Sequence, residues 1–296
     1  MPFGDIIVRM PFEDIFVRMS FEDIFVRMPF GLTGCAMQIF QIDAFTDRLF
    51  QGNPAAVIPL GAWLPDEQLQ RIAAENNLSE TAFFVPRSEG GFDLRWCTPT
   101  VEVDLCGHAT LATTHVLYTQ LGYAAPQIVF HTRSGKLITR RIAENRYELD
   151  FPADRLQADP PPPELLEAIG AIPTEVYAGR EDWMLVFDRQ EQIEALLPDF
   201  RLMAQIPSRG VIATAPGREV DFVSRCFFPQ SGIDEDPVTG SAHTTMTPYW
   251  ARRLDKALLT AAQLSTRGGR LECELRGDRV FLRGDCVTYL KGEVFC

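Results

Sequence analysis

The sequence predicts an α+β fold of two similar halves, in each of which short β-strands surround one central helix. Two segments support this prediction, residues 94–122 in the first half and residues 223–255 in the second. Each has a strand that contains an arginine, a proline four residues later, an acidic turn, a glycine and then a helical pattern. Two segments built on one plan indicate duplicated domains that face each other across a cleft. The alternative is a coincidence of turn residues.

The helical part of these segments has the composition of an enclosed helix. In the first segment, ALATTHVLY has apolar residues around most of its circumference, which is typical of a helix surrounded by protein. The two helices would begin at Gly107–His108 and at Gly240–Ser241, which align with each other. Their free N–H groups and the positive ends of their dipoles would face the cleft, where small residues let a ligand approach the backbone.

The remaining elements follow from local patterns. Residues 37–45 alternate with the strand period, and residues 65–77 are typical of a helix that begins at Pro65–Asp66 and ends at Asn76–Asn77. Strand patterns rich in β-branched and aromatic residues cover residues 81–86, 92–99, 127–142, 147–152, 182–188, 210–216 and 221–229. The last stretch, residues 270–295, indicates a series of short strands punctuated by glycine.

Three segments of different character divide the chain. The first 36 residues repeat a nonapeptide, which we interpret as a tandem duplication outside the fold; a membrane-surface or partner-binding amphipathic segment is the alternative. Residues 37–157 are expected to form the first barrel–helix domain and residues 164–296 the second, whose last strand could return to the first. The proline-rich residues 158–164 between them cannot continue a strand or sit inside a helix.

Composition and charge limit the function. The 296 residues are 46% hydrophobic and 23% charged, as in a globular protein with a sizeable core. A formal net charge of −12 argues against nucleic acid and anionic membranes as partners, because both require a basic face. It allows a small anion held by backbone N–H groups. No apolar run approaches the ~20 residues of a membrane-spanning helix. Seven scattered cysteines without a CxxC pair favour reduced thiols and a cytoplasmic protein.

Metal and nucleotide sites receive no support from the sequence. His108 and His115 share a helical face but lie two turns apart, about 10 Å, which is too far to bind one zinc ion. His131 and His243 have no local partner, and His115 is better explained as an interior histidine with hydrogen-bond partners. Because there is also no Walker loop and no GxGxxG motif after a strand, we expect neither a metal nor a nucleotide cofactor.

Cys106 and His108 are the first candidates for chemistry. At a helix N-terminus, Cys106 could be an activated thiol, but the matching second-half residues Thr239 and Ser241 offer it no second base. A small buried residue is the alternative for Cys106. His108 could donate a proton or hold a substrate, because a free imidazole titrates near the working pH.

The acidic residues form a second group of candidates. Glu80 stands in a polar turn directly before an apolar strand, where partial burial would favour a general base active near neutral pH. A helix-end or capping glutamate is the alternative. Among Asp234, Glu235 and Asp236, the pattern does not choose between a helix cap and a residue of the cleft.

Four motifs together resemble one known family. They are FxGNPAAV (Phe50–Val57), LSETAF (Leu78–Phe83), RWxTPTxEVDLCGHAT (Arg95–Thr110) and GIxEDPVTGSAH (Gly232–His243). In this order and spacing they are similar to the phenazine-biosynthesis isomerase-like (PhzF-like) family, from Met37 nearly to the C-terminus. Cys97 departs from the pattern, in which an aromatic residue is usual, and is expected to affect packing only.

The resemblance implies a fold, an activity and a set of site residues. The fold is diaminopimelate-epimerase-like, with two pseudo-symmetric domains, each a β-barrel-like sheet around a central α-helix, and the site between them. The activity is isomerisation by proton transfer on a small carboxylic acid, without a metal or an organic cofactor. By resemblance, Glu80 carries the proton, and His108 and Asp236 are its catalytic partners. The implied substrate-binding residues are Ser79, Gly107, Gly240 and Ser241. A homodimer is a family-level expectation.

Three functions follow from these observations. The first is a cofactor-independent isomerase that moves a proton between carbons of a small unsaturated or cyclic carboxylic acid through Glu80. The second is an amino-acid racemase or epimerase that uses Cys106. The third is a binding or interaction protein that keeps the cleft for a small acid without catalysis.

Overall fold

The computed structural model describes residues 6–9, 16–19 and 36–295. Strands β1 (Ile6–Arg9) and β2 (Phe16–Met19) pair with each other in antiparallel fashion as a separate two-stranded sheet. The interpretation of residues 1–36 as a duplicated tail falls mostly outside the described residues. None of the helices in the described part of the chain is long and apolar enough to cross a membrane.

The main body contains seventeen further strands and six α-helices within residues 36–295. The strands are β3 (Ala36–Ala44), β4 (Asn53–Pro59), β5 (Glu80–Pro86), β6 (Phe92–Cys97), β7 (Glu102–Val103), β8 (Gln127–Thr132), β9 (Gly135–Ala143), β10 (Arg146–Pro152), β11 (Gln157–Ala158), β12 (Glu175–Ala178), β13 (Asp182–Val186), β14 (Gly210–Pro216), β15 (Phe222–Phe228), β16 (Ile233–Asp236), β17 (Leu258–Gln263), β18 (Gly269–Arg276) and β19 (Arg279–Phe295). The helices are α1 (Asp66–Asn76), α2 (Gly107–Thr119), α3 (Pro163–Ile169), α4 (Gln190–Glu194), α5 (Phe200–Met203) and α6 (Gly240–Leu254), and a 3₁₀ turn covers Pro229–Ser231.

One connection pattern occurs in both halves. In the first half, β4 pairs with β5 and β6 pairs with β8 in parallel, while β5–β6 and β8–β9 are antiparallel. In the second half, β13–β14 and β15–β17 are the parallel pairs, and β14–β15 and β17–β18 are antiparallel. The crossovers from β6 to β8 and from β15 to β17 contain the central helices, α2 and α6. The predicted two-fold repeat and fold class are therefore confirmed.

The longest strand joins the two halves. The first part of β19 pairs with β18 and β10, and its second part pairs with β3, so that the sheet closes on itself. One hydrophobic cluster runs through both halves, from Trp96 and Phe130 beside α2 to Phe222 and Trp250 beside and within α6. The rings of Phe222 and Trp250 stack with their centroids 5.8 Å apart. This shared core fixes the two central helices relative to each other.

Both central helices are enclosed, as the apolar pattern predicted. Every residue of α2 from Gly107 to Tyr118 is buried, and α6 is buried over most of its length. The threonines of α2 satisfy their hydroxyls inside the helix: Thr113 donates to the carbonyl of Ala109 and Thr114 to that of Thr110. The buried threonines of α2 therefore leave no hydroxyl unpaired.

Several elements differ from the predicted ones. The single strand predicted over residues 127–142 is wrong, because the chain turns after Thr132, and β9 begins at Gly135, whose φ of 102° favours glycine. The last residues of the proline-rich stretch belong to a helix, contrary to the prediction. Pro163 occupies the first turn of α3, where a backbone N–H has no intrahelical partner and its absence costs nothing. The bounds of α1 agree with the prediction, and Asn77 ends this helix in the left-handed region at φ 48°.

Candidate active site

A cavity of about 410 Å³ lies between the two halves, where the central helices begin. Its wall includes Gly107 and His108 of α2 together with Gly240 and Ser241 of α6. A Cβ added to Gly107 would lie 3.2 Å from the Cα of Gly240, so the two helix N-termini touch through their glycines. A side chain at either position would require the helices to separate by a few tenths of an ångström.

The N-termini of both helices lack a side-chain cap. Cys106 precedes α2 and Thr239 precedes α6, and neither side chain caps its helix. The first N–H groups of a helix have no intrahelical partner, and the helix dipole makes this end positive. Two such ends that meet at one cavity are suited to bind a carboxylate.

Glu80 is the first residue of β5, and the parallel register of this strand places it beside Ala55 of β4. Its side chain is 12% exposed and lines the cavity. Oε2 of Glu80 lies 3.0 Å from Nε2 of His108, yet neither atom has an aligned hydrogen-bond partner among the described residues. Ser79 directly before it is partly buried and is not among the residues that line the cavity.

His108, in the first turn of α2, has different neighbours at its two ring nitrogens. Nδ1 lies 3.2 Å from Nδ2 of Asn53 and 3.5 Å from Sγ of Cys106, whereas Nε2 faces Glu80. Burial opposes the imidazolium form, but the charges that Cys106 and Glu80 can carry outweigh it and raise the pKa of His108 well above its usual value. Burial raises the pKa of Cys106 to about 11, which disfavours its thiolate at neutral pH.

Asp236, the last residue of β16, completes the set from the second half. It accepts hydrogen bonds from Nδ2 of Asn53 at 2.8 Å and from the hydroxyl of Thr239. Burial raises the pKa of Asp236 to about 6, against the opposing effect of His108, so this carboxyl can gain or lose a proton near neutral pH. Its neighbour Glu235 instead forms a salt bridge with Arg225, outside the cavity lining. The structure thus separates acidic residues that the sequence pattern left equivalent.

Ser241 contacts the arginine of an ion pair whose carboxylate, Asp182, is buried. Arg209 donates to Oγ of Ser241 at 3.1 Å and to both carboxylate oxygens of Asp182, with 2.8 Å between Nε and Oδ1. The parallel register of β13 and β14 pairs Asp182 with Gly210, which brings Arg209 beside it. Because a guanidinium group has no acceptor, the Ser241 oxygen accepts and its own proton can be donated into the cavity.

Three residue types that can bind metals meet here. Ligand atoms of Glu80, Cys106 and His108 lie within 4.8 Å of one another. Cys106 approaches Nδ1 of the imidazole and Glu80 approaches Nε2, so an ion bound to either ring nitrogen would be directed away from one of them. His115 hydrogen-bonds with Tyr147 at 3.0 Å and with Thr288 at 2.9 Å, which confirms that it is an interior histidine with hydrogen-bond partners.

Three residues around the site were not singled out from the sequence. Asn53 lies within a quoted motif but received no role; its signal was an asparagine–proline pair at the start of a strand. Arg209 and Asp182 carry no local signal, because their contact depends on the pairing of β13 with β14.

The comparison with known proteins assigns the chain to a family. A family model described as phenazine biosynthesis-like protein matches residues 42–292. The chain belongs to the phenazine biosynthesis-like (PhzF-like) family. The family predicted from the four motifs is thereby confirmed.

Relatives and solved structures of PhzF-like proteins agree with this assignment over nearly the whole chain. An uncharacterised isomerase of Pseudomonas aeruginosa is 54% identical over 258 residues, which cover 87% of this chain and 98% of the relative. An uncharacterised isomerase of Halalkalibacterium halodurans is 46% identical over 260 residues, covering 86% and 97%. The crystal structure of a PhzF-family protein from Enterococcus faecalis matches with a TM-score of 0.84 at 44% identity, covering 88% of this chain and all of that one. These matches place the PhzF-like chain among the isomerases.

Proposed function

We propose that this PhzF-like chain is a cofactor-independent isomerase that moves a proton between two carbons of a small unsaturated or cyclic carboxylic acid. Glu80 takes and returns the proton, and His108 and Asp236 assist it. The observation that carries the proposal is the contact between Glu80 and His108. Their facing atoms lie 3.0 Å apart in the cavity wall, and neither has an aligned hydrogen-bond partner among the described residues, so neither is committed to another group of the protein.

The substrate class follows from the shape and polarity of the cavity. A volume of about 410 Å³ suits a small ligand rather than a polymer. The N–H groups at Gly107 and at Gly240–Ser241, with the Ser241 hydroxyl, are donors that match the two oxygens of a carboxylate. The chain as a whole is acidic, with a formal net charge of −12, so this local set of donors is what would attract an anion.

The proposed reaction conserves all atoms of the substrate. The carboxylate of Glu80 removes a proton from a carbon of the conjugated acid, and the electron pair of that C–H bond moves into the conjugated system as an enolate. The helix N–H groups stabilise the negative charge that develops on the carboxylate oxygens. Glu80 then returns the proton to another carbon, which shifts the double bond. The Glu80 carboxylate and the carboxylate of the substrate are thereby restored.

Asp236 gives the site a second titratable carboxyl. It reaches the cavity from the second half, while Glu80 belongs to the first. With a pKa of about 6, Asp236 can supply or accept a proton near neutral pH. This arrangement supports proton transfer at two positions of one substrate.

A screen in deuterated water tests the proposal without a guess about the product. The protein is incubated with a panel of small unsaturated and amino carboxylic acids in D₂O, and deuterium incorporation is followed by ¹H NMR. We expect at least one acid to gain deuterium and to shift its double bond. Glu80→Gln keeps the size of the side chain but cannot carry the proton, so exchange should fall by roughly 10²-fold or more.

A matched control distinguishes loss of the proton carrier from loss of charge. Glu89, 82% exposed in the turn between β5 and β6, lies outside the cavity, so Glu89→Gln should exchange at the wild-type rate. A Glu80→Gln protein as active as the wild type would refute the role of Glu80. Tight binding of an acid with no exchange into any ligand would indicate a binding protein instead.

A further inference from the structure

We propose that a second copy of this chain pairs with the open edge of β19, so that two copies form a symmetric dimer through one continuous antiparallel sheet. The two-fold axis of the dimer would pass through Gly292. None of residues 287–295 lines the cavity between the two halves. The interface is therefore separate from the proposed active site and does not depend on the proposed proton transfer.

The second part of β19 is paired on one side only. Residues 286–295 pair with β3, whereas β10, on the other side, pairs with β19 no further than Asp285. The last contact on that side is the hydrogen bond from the N–H of Cys286 to the carbonyl of Asn145. Beyond it, no backbone hydrogen bond from the described residues reaches this edge of residues 287–295. An unpaired edge of this kind is a template for another strand.

Large apolar side chains along this edge are exposed. Tyr289, Leu290 and Phe295 have 47%, 41% and 74% of their surfaces exposed. Phe50, 67% exposed, packs its ring edge-on against that of Tyr289, with 5.8 Å between the centroids. Exposed aromatic and aliphatic groups grouped beside an open strand favour coverage by another protein surface.

Two opposite charges on the same strand have no ionic partner within the described part of the chain. Lys291 and Glu293 are both exposed, and the only charged-group contact of either is that of Nζ of Lys291, 5.7 Å from the centroid of the Phe40 ring. Residues two apart in a strand point to the same face, so both charges lie on one face of the sheet. A partner strand with the opposite order of charges would pair with both.

Symmetry and charge together select one register for two copies. When a two-fold axis relates two antiparallel strands, it passes through a residue that faces its own copy. With the axis at Gly292, Lys291 of each copy lies opposite Glu293 of the other. In the same register, Leu290 lies opposite Val294 on the other face of the sheet. With the axis at Lys291 or at Glu293, like charges would lie directly opposite each other, which destabilises a sheet.

Gly292 is suited to the axial position. A glycine inside a strand has no side chain to pack and often marks a place where another backbone approaches closely. A Cβ at Gly292 would lie 3.7 Å from the side chain of Leu290 and 3.9 Å from that of Ile39, which are ordinary contacts. The packing within one chain therefore does not explain this glycine, whereas an approaching strand does.

Charge reversal tests the register in the full chain. In Lys291→Glu and in Glu293→Lys, like charges face each other twice across the axis, so the dissociation constant of the dimer should rise roughly 10- to 100-fold. The double variant Lys291→Glu/Glu293→Lys exchanges the two charges and should dimerise like the wild type. An equimolar mixture of the two single variants should form heterodimers, because each supplies the charge that the other lacks.

Sedimentation velocity over a dilution series measures these dissociation constants, and circular dichroism checks that each variant is folded. Lys136→Glu is the matched control, because it makes the same change of charge at an exposed position of β9. This variant should dimerise like the wild type.

A cysteine at the axis tests the same interface without a change of charge. Opposite Cα atoms in antiparallel strands lie about 4.5–5.5 Å apart, within the range of about 4.4–6.8 Å that a disulfide spans. Gly292→Cys should therefore link to its own copy under mild oxidation, and peptide mass spectrometry should identify a bond between the two positions 292. Gly61→Cys is the control, at an exposed position where a Cβ meets no atom within 4 Å, and should not form such a bond.

Each outcome decides the proposal. A wild-type chain that remains monomeric at its highest soluble concentration overturns it. A dimer that persists unchanged in both single charge variants, or that Gly292→Cys does not link, also overturns it, because the interface then lies on another surface. A double variant that stays monomeric refutes the register. If a charge variant fails to fold, the cross-link at position 292 decides. Deuterium exchange by Glu80→Gln concerns the cavity alone, so the two proposals can fail separately.

Discussion

Gly107 and Gly240 meet backbone to backbone, since a Cβ on either one would lie 3.2 Å from the Cα of the other. Each is the first residue of the central helix of its half. Because neither residue carries a side chain, the positive ends of the two helices approach each other closely at the cavity. This contact explains why the two halves carry glycine at equivalent positions.

A methyl group at this contact should cost both stability and function. Gly240→Ala requires the helices to separate by a few tenths of an ångström, so we expect a loss of roughly 1–3 kcal/mol in the free energy of unfolding and weaker binding of carboxylates. Denaturant unfolding and ligand titration measure the two effects. Gly61→Ala is the control, because a Cβ there meets no atom within 4 Å. Equal stability of the two variants would contradict this view of the contact.

Cys106 is expected to be dispensable for proton transfer. Burial raises the pKa of its thiol to about 11, and Thr239 stands at the equivalent position before α6, so a pair of thiol bases cannot form. Cys106→Ala should retain the deuterium exchange within about tenfold, and iodoacetamide should not abolish it. Inversion at a single carbon that disappears in Cys106→Ala would instead favour the racemase hypothesis.

The ion pair behind Ser241 should be sensitive to the loss of one partner. Asp182 has only 2% of its side chain exposed, so Arg209→Met leaves a buried charge unpaired and should cost about 3–5 kcal/mol in the free energy of unfolding. The double variant Arg209→Met/Asp182→Leu should recover most of that loss. Glu67→Ala, at the exposed pair with Arg71, should change stability by less than about 0.5 kcal/mol. A double variant less stable than Arg209→Met would count against this explanation.

Two buried histidines should make the fold sensitive to mild acid. Burial lowers the pKa of His115 and of His243, in each case to about 4. The folded state therefore binds these protons more weakly than the unfolded state, in which the pKa is about 6.5. Their contribution is fully present above pH ~6.5 and is lost as the pH falls toward 4, by roughly 3 kcal/mol for each histidine.

Urea unfolding at a series of pH values checks this dependence. His115→Gln removes one of the two titrating groups, so its stability should fall less steeply than that of the wild type between pH 6.5 and 4. The comparison concerns the slopes, because the substitution also changes the hydrogen bonds with Tyr147 and Thr288. Parallel curves for the two proteins would show that His115 does not titrate differently in the folded state.

The sequence by itself determined the elements whose causes are local. The helix over residues 66–76 and its end at Asn77 follow from apolar spacing and turn preference, and α6 begins at the glycine where the pattern predicted it. The shared plan of the two segments indicated a two-fold repeat before any contact was known. The sequence pattern did not show that residues 127–142 form two strands of a hairpin. The turn residues Arg133, Ser134 and Gly135 stand between two strand-like segments of similar composition, so the pattern was interpreted as one strand.

Only the tertiary structure decided which side chains meet. Asn53 donates to Asp236 across 183 positions of the chain, and Arg209 reaches Ser241 because β13 and β14 pair in parallel. The motifs could nominate Glu80 and His108 but not the 3.0 Å between them. Local dihedral preferences depend on neighbours in the chain, whereas these contacts depend on strand register and on the shared core, which no short stretch of sequence contains.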